Sequence, residues 1–366
     1  MIGRLSLGLA VLVVLALLTF ALPIRTWRTG QLPAPPLPVI SGGPAVSLPD
    51  RLWIDTDAAC GTGRTTDPDD CFAILLLARA AGARLVGISS VHGNASLPVT
   101  DSTTRELMRV LEQEGLAAPP VYRGSAGEMG EDAAATPEPA HDALRQALED
   151  GPLTLVSLGP LTNVAAALNG RPALQARVGR IIAVMGRRPG HLFHPAEGAG
   201  KGILFGHGPV FRDFNFDKDR AAATAVLRLG LPTTLIPYEA AREVSLTAAD
   251  VARLESGGAA AAWVAARARG WLDFWKEEVG RDGFYPFDLL AGAYLVAPQQ
   301  FNCAPAAAWV GEDTRLWHLF SSPPALMIGL ESERPEEVRA SGRVVYCPGA
   351  GPGMHGWLMG RLTGDG

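Results

Sequence analysis

Five carboxylates fall within the sixteen residues DTDAACGTGRTTDPDD, Asp55 to Asp70, directly behind the apolar segment RLWI. Acids this close repel one another unless a cation neutralises them, protons stay on, or water screens them. Three chemistries compete for the stretch. A phosphate loop needs G-x-x-x-x-G-K-S/T, and GTGRTT lacks both the spacing and the Lys. An Asp-x-Asp nucleophile, as in aspartyl-phosphate phosphatases, attacks with one acid and uses the second as acid or base. It leaves Asp69 and Asp70 without a role. A hard-cation site employs both pairs, because Ca²⁺ collects several oxygen ligands from carboxylates and backbone carbonyls. A solvated loop that merely caps a helix accounts for Asp69 and Asp70 but not for the pair at the strand end.

The elements that must position these acids follow from periodicity. RLWIDTD is expected as a strand ending in acids, and DDCFAILLLARAAGA as the helix after it. ARLVGISSVHGN is a second strand, TDSTTRELMRVLEQEGL a helix with an Asp or Ser cap, and PVYRG a short third strand. HDALRQALEDG, PLTLVSLGP, LTNVAAALNG and RIIAVMG continue as helix, strand, helix, strand. This alternation predicts an α/β fold, a Rossmann-like open and mainly parallel sheet flanked by helices. Residues 187–209 form a long Gly/His/Pro loop, a length that is often functional. FRDFNFDKDRAAATAVLRLG is then one helix, LPTTLIPYE a strand, and PFDLLAGAYLVAPQQF a helix with Asp288 at its start. ALMIGL and GRVVYC are strand-like. Asp55, Asp57, Asn94, Leu158, Met185 and Asp288 all fall at strand ends or helix starts, where open α/β sheets bind ligands.

The remainder bounds the setting. With 366 residues, 48% hydrophobic and 19% charged, the chain can bury a large core. A net charge of −5 and the lack of Lys/Arg runs exclude nucleic acid as the main partner; a small polar substrate fits. Residues 1–24 hold an uncharged apolar run from Leu5 to Ile24, an export element that is either a signal peptide or a membrane anchor. Its length and poor cleavage site favour the anchor, with the catalytic body outside the cytoplasm, periplasmic or membrane-attached. Residues 25–49, rich in Pro and Gly, are expected as an extended tether, and residues 50–366 as the catalytic domain. Cys60, Cys71, Cys303 and Cys347 can oxidise in that setting, in any of three pairings, or stay as buried thiols.

DTD, DDCFAILLLARA, GISSVHGN, LTLVSLGPLTNVAAAL, IIAVMG, DFNFDKDRAAA and PFDLLAGAYLVAP occur in that order. Together they resemble the inosine-uridine preferring nucleoside hydrolases from about Leu52 to Phe301. The resemblance implies a ribonucleoside substrate, a Ca²⁺ cofactor, and a homodimer or homotetramer. It makes Asp57 the general base and a calcium ligand, with Asp70, Asp288 and the carbonyl of Leu158 as further ligands. Asp69, Asn94, Met185, His207, Asp213 and Asn215 would hold the ribose.

Three departures stand out. Phe287 occupies the position where family members place a proton-donating His, and a phenyl ring can stack on a base but donates no proton. His191, His194 and His207 are the candidates to replace that acid. Asp213 stands where the family usually has Glu. The third departure is that AACGTGRTTDP puts eleven residues where the family has three, a bulge over the substrate from which Arg64 or Asp67 could touch a base or a 5′ substituent. Cys60 and Cys71 flank that bulge and could staple it. The expected activity is calcium-dependent hydrolysis of the N-glycosidic bond of a ribonucleoside or related ribosyl compound. The alternatives are a calcium-bound nucleoside or sugar-binding protein without turnover and, behind it, an Asp-x-Asp phosphatase.

Overall fold

A computed structural model describes residues 26–28, 30–41, 48–80, 84–130, 136–191, 213–318, 324–338 and 341–365. Its strands, in chain order, are β1 (Thr26–Arg28), β2 (Ile40–Ser41), β3 (Leu52–Thr56), β4 (Leu85–Ser90), β5 (Val121–Arg123) and β6 (Leu153–Ser157). They continue as β7 (Val178–Ala183), β8 (Thr233–Leu235), β9 (Phe301–Gly311), β10 (Leu316–His318), β11 (Ala325–Gly329) and β12 (Ser341–Ala350). The main sheet runs β11-β9-β12-β8-β7-β6-β3-β4-β5, with β2 added on β9. From β12 through β5 every neighbouring pair is parallel; β9 and β11 are antiparallel. The fold is the expected α/β single domain with an open sheet between helical layers.

Along β3 the residues alternate between the two faces, as the two-residue period of a strand demands. Leu52 and Ile54 pack with the helices Asp69–Arg79, Ala259–Phe274 and Phe287–Val296, while Trp53 packs on the opposite side with Pro139–Glu149 and Thr162–Leu168. Both faces are covered, so β3 and β6 are buried at every position. From β3 the order steps outward to β4 and β5, then returns to β6 on the other side. That reversal is the topological switch point, and the crevice at the carboxyl ends of β3 and β6 is where such sheets bind ligands.

Several elements differ from expectation. The helix after β4 begins at Leu97, with Ser96 at its N-cap position, so Asp101 lies inside it and bonds Ser90 and Arg105 instead of capping. The expected single helix around Asp219 is two, Phe214–Lys218 and Arg220–Arg228, because the Asp219 carboxylate caps the second through Ala222 N–H at 2.9 Å. β9 and the final helix Met354–Thr363 have no counterpart in the sequence pattern.

The Pro/Gly-rich segment runs mostly exposed where it is described but touches the body at several points. Ala34 and Leu37 are buried, Ile40–Ser41 pairs with β9, and the Pro35 carbonyl accepts from Arg188 Nη2 at 2.6 Å. A Pro-rich strand makes no internal hydrogen bonds, so its free carbonyls are available to Arg188 at Pro35 and Arg315 at Leu32. The apolar run at residues 5–24 lies outside the described residues. Among the described residues, no helix is long and apolar enough to cross a membrane. Two disulfides form, Cys60–Cys71 and Cys303–Cys347, the latter linking β9 to β12.

Candidate active site

The acids converge because two helices start at the end of β3. Asp69 and Asp70 open the helix Asp69–Arg79, Asp288 opens Phe287–Val296, and these helices touch closely where Gly292 faces the Ala73 backbone. Both helix N-termini therefore point their partial positive charge at one spot. Asp69, Asp70 and Asp288 are buried, and each offers an oxygen within 4.8 Å of the others. The Asp288 backbone N–H donates to Asp69 Oδ2 at 2.7 Å. Asp69 Oδ1 and Asp288 Oδ1 are buried with no hydrogen-bond partner, a costly state unless something else engages them.

Asp57 follows β3 and is fully buried. Its Oδ2 accepts the Asn94 backbone N–H at 2.7 Å, and the Asn94 amide nitrogen spans Asp57 Oδ1 at 3.4 Å and Asp70 Oδ2 at 3.3 Å. The Thr56 hydroxyl also donates to Asp70. Gly93 and Gly159 make room for this carboxylate: a Cβ on Gly93 would lie 1.8 Å from Asp57 Oδ2, and one on Gly159 would lie 3.0 Å from Asp57 Cγ.

The other expected residues reach the same end of the sheet. Asn215 donates to the carbonyls of Leu158 at 2.7 Å and Val184 at 3.2 Å, bridging the ends of β6 and β7. Asp213 accepts from Gly186 N–H at 2.7 Å. The Leu158 carbonyl therefore already accepts one bond and retains one lone pair. The Met185 side chain lies in the apolar cluster with Phe216 and Leu235. Phe287 stacks on Tyr238 at 6.2 Å and meets Tyr285 edge-on at 6.5 Å. His194 and His207 lie outside the described residues. His191 bonds the Ala34 carbonyl at 2.9 Å, at the docked N-terminal segment.

Crowding raises the proton affinity of the whole group. Burial, then the Asp70 charge, holds Asp57 well above the usual carboxylate range. Burial, then Asp69, pushes Asp70 up to about 7, and the same pair of causes puts Asp288 far above normal. Burial also raises Asp69, and it lifts Asp213 to about 7.

Asp67 takes a role other than the expected substrate contact, and Asn163 is not singled out by the motifs. Asp67, in the inserted loop, accepts the Asp69 backbone N–H at 3.2 Å, and burial together with Asp69 raises its proton affinity strongly. It is a fifth acid of the cluster, marked in sequence only by its closeness to Asp69. Asn163 supports the strand end: it donates to Asp55 at 2.8 Å and to the Ser90 carbonyl at 3.1 Å, and accepts from Ser125 N–H at 2.8 Å. The inserted loop runs over the helix Ala259–Phe274, and Arg64 pairs with Glu277 and Glu278 in the helical turn Trp275–Val279 that continues it. Arg64 stays half exposed within these ion pairs.

Fold and acid cluster together define an α/β protein with a carboxylate-built site at the switch point of its sheet. The chain belongs to the inosine-uridine preferring nucleoside hydrolase family, whose model matches residues 52–338, and it is accordingly a hydrolase of N-glycosyl compounds. It is 30% identical over 234 residues to an uncharacterized protein of Schizosaccharomyces pombe, covering 54% of this chain and 69% of that protein. It is 28% identical over 275 residues to the pyrimidine-specific ribonucleoside hydrolase RihA of Enterobacter sp. strain 638, covering 68% and 81%. Among solved structures, a plant nucleoside hydrolase, PpNRh1, superposes with a TM-score of 0.68 at 19% identity, covering 86% of this chain and 99% of that one. A purine-preferring ribonucleoside hydrolase from Gardnerella vaginalis gives 0.64 at 20% identity, covering 86% and 98%.

Proposed function

We propose that this chain hydrolyses the N-glycosidic bond of a ribonucleoside or related ribosyl compound, releasing base and ribose, and that Ca²⁺ binds in the acid cluster. The observation that carries this reading is the meeting of Asp69, Asp70 and Asp288 within 4.8 Å at the switch point, with two buried oxygens left unpartnered. An all-oxygen, carboxylate-rich donor set suits a hard cation. Asp70 and Asp288 belong both to the expected ligand set and to the observed group; Asp57 and the free lone pair of the Leu158 carbonyl complete the expected set.

A bound Ca²⁺ would supply charge neutralisation and a lowered pKa for water. Asp57, held from two sides by Asn94, is the base that takes the proton from the attacking water. Asp69, with one oxygen uncommitted, accepts from a ribose hydroxyl, and Asp213 and Asn215 hold the other side of the sugar. Acids around the ribose favour the positive charge of an oxocarbenium-like transition state over the neutral ground state. The half-buried Phe287, backed by the buried Tyr238, offers an aromatic face to a base but no proton. The names of the relatives include both pyrimidine-specific and purine-preferring enzymes, which supports the ribonucleoside class and no single base. Two disulfides support an oxidising, extracytoplasmic setting.

The test is base release from inosine, uridine and nicotinamide riboside before and after EDTA treatment. Calcium-restored release of a base from at least one of them is expected. Retained ribose binding with no turnover on any would replace this reading with that of a calcium-bound binding protein.

A further inference from the structure

The inserted loop contributes more than a detour. Cys60–Cys71 closes a ring of chain that contains Asp67, Asp69 and Asp70, and Cys71 directly follows Asp70. Both cysteines are buried. The far side of the ring is anchored as well. Gly61 has φ +75° and lies so close to the helix Ala259–Phe274 that a Cβ would come 2.5 Å from Arg267 Cγ; Gly270 lets the Arg64 backbone approach, and Arg64 pairs with Glu277 and Glu278. Within the ring Asp67 fixes the Asp69 N–H, and Thr62 Oγ1 ties the ring back to the Ala59 carbonyl just before it at 2.6 Å.

We propose that this cross-linked loop is a positioning device for the cation site: the Cys60–Cys71 disulfide holds Asp69 and Asp70 against Asp288 before any cation arrives. Like charges in one buried spot drive the loop outward, and a flexible insertion gives them room to separate. A covalent closure next to Asp70 removes that freedom, so the acids are preorganised and less of the binding free energy is lost in ordering them. Cys60 and Cys71 act through the acids and touch no substrate. The inference rests on the calcium reading above.

Calcium titration calorimetry on EDTA-stripped full-length protein tests it, comparing wild type, Cys60→Ser/Cys71→Ser and Cys303→Ser/Cys347→Ser. A fourth protein, Cys60→Ala/Cys71→Val, fills the same buried space with apolar side chains, and circular dichroism establishes that each variant is folded. Both variants lacking Cys60–Cys71 are expected to bind Ca²⁺ roughly tenfold or more weakly, while the Cys303–Cys347 variant keeps wild-type affinity. Saturating Ca²⁺ should return kcat toward the wild-type value, a rescue that a general packing defect would not show. Wild-type affinity in a folded variant lacking Cys60–Cys71, or equal weakening in the Cys303–Cys347 variant, overturns the proposal while leaving the calcium reading intact. No calcium binding by the wild type overturns both.

Discussion

Asp69 accepts a 2.7 Å hydrogen bond from the backbone N–H of Asp288, so the first-turn acid of one helix caps the start of the other. The two helices are locked with their acids face to face, an arrangement that without a cation stores repulsion in the fold. Asp69→Asn keeps an acceptor for Asp288 N–H and puts an amide donor where Oδ1 now has no partner. The cation-free variant should therefore melt about 3 °C above cation-free wild type near neutral pH, a gain of the size that sites under functional strain return. Its turnover should be lost. A lower melting temperature by calorimetry would show that the charge on Asp69 is not a burden on the fold.

The raised proton affinities set a sign for the pH dependence. Asp55 is pushed to about 6 and Asp70 and Asp213 to about 7, mainly by burial, against an ordinary value of 3.8. Between these limits the folded chain holds protons that the unfolded chain has released, so this contribution is full below 3.8 and lost as pH rises through about 7. Asp250, Asp365 and Glu333 shift downward and act in the opposite sense only below their ordinary values of 3.8 and 4.5, while His141, lowered from 6.5 mainly by burial, opposes as a single group near the alkaline end of the window. In EDTA the melting temperature should fall as pH rises across the window, and added Ca²⁺ should restore most at its alkaline end. A melting temperature that climbs with pH in EDTA would contradict the cluster's protonation.

Gly93 has no substitute at its position. Its added Cβ would lie 1.8 Å from Asp57 Oδ2, so Gly93→Ala must displace the carboxylate or the Asn94 amide that holds it. Displacement of the base by about 1 Å costs on the order of a hundredfold in rate. Steady-state kinetics should show that loss in kcat, with circular dichroism unchanged. Wild-type kcat in Gly93→Ala would remove Asp57 from the reaction.

Phe287 gives the leaving group stacking without a proton. Phe287→His places a donor next to Asp288 and should raise turnover of inosine or uridine relative to nicotinamide riboside, whose base departs as a neutral molecule, by about a hundredfold. An unchanged ratio would mean that the proton comes from elsewhere or is not needed.

The halves of the acid site were legible in DTD and DD because a strand end and a helix start each impose their own pattern, and Asp288 is announced by the apolar helix behind it. What joins them was not. Asp67 counts among the crowded acids, but its bond to the Asp69 N–H two residues on is a turn contact that no periodicity marks. The docked segment around Ala34 and Pro35 depends on Arg188, 153 residues from Pro35, which no local pattern reveals. β9 is rich in Ala and carries Pro305, both poor strand signals, and it forms because β11 and β12 flank it. Asn163 looks like an ordinary helix residue until Asp55, Ser90 and Ser125 close around it.

Asp57, Asp69, Asp70 and Asp288 should act as one cation site. A crystal structure of the protein grown with Ca²⁺ tests it most directly. The expected result is a single ion bonded to both Asp70 and Asp288, with Asp57 beside it. An ion bound elsewhere, or full occupancy of a site that omits Asp70 and Asp288, would contradict it.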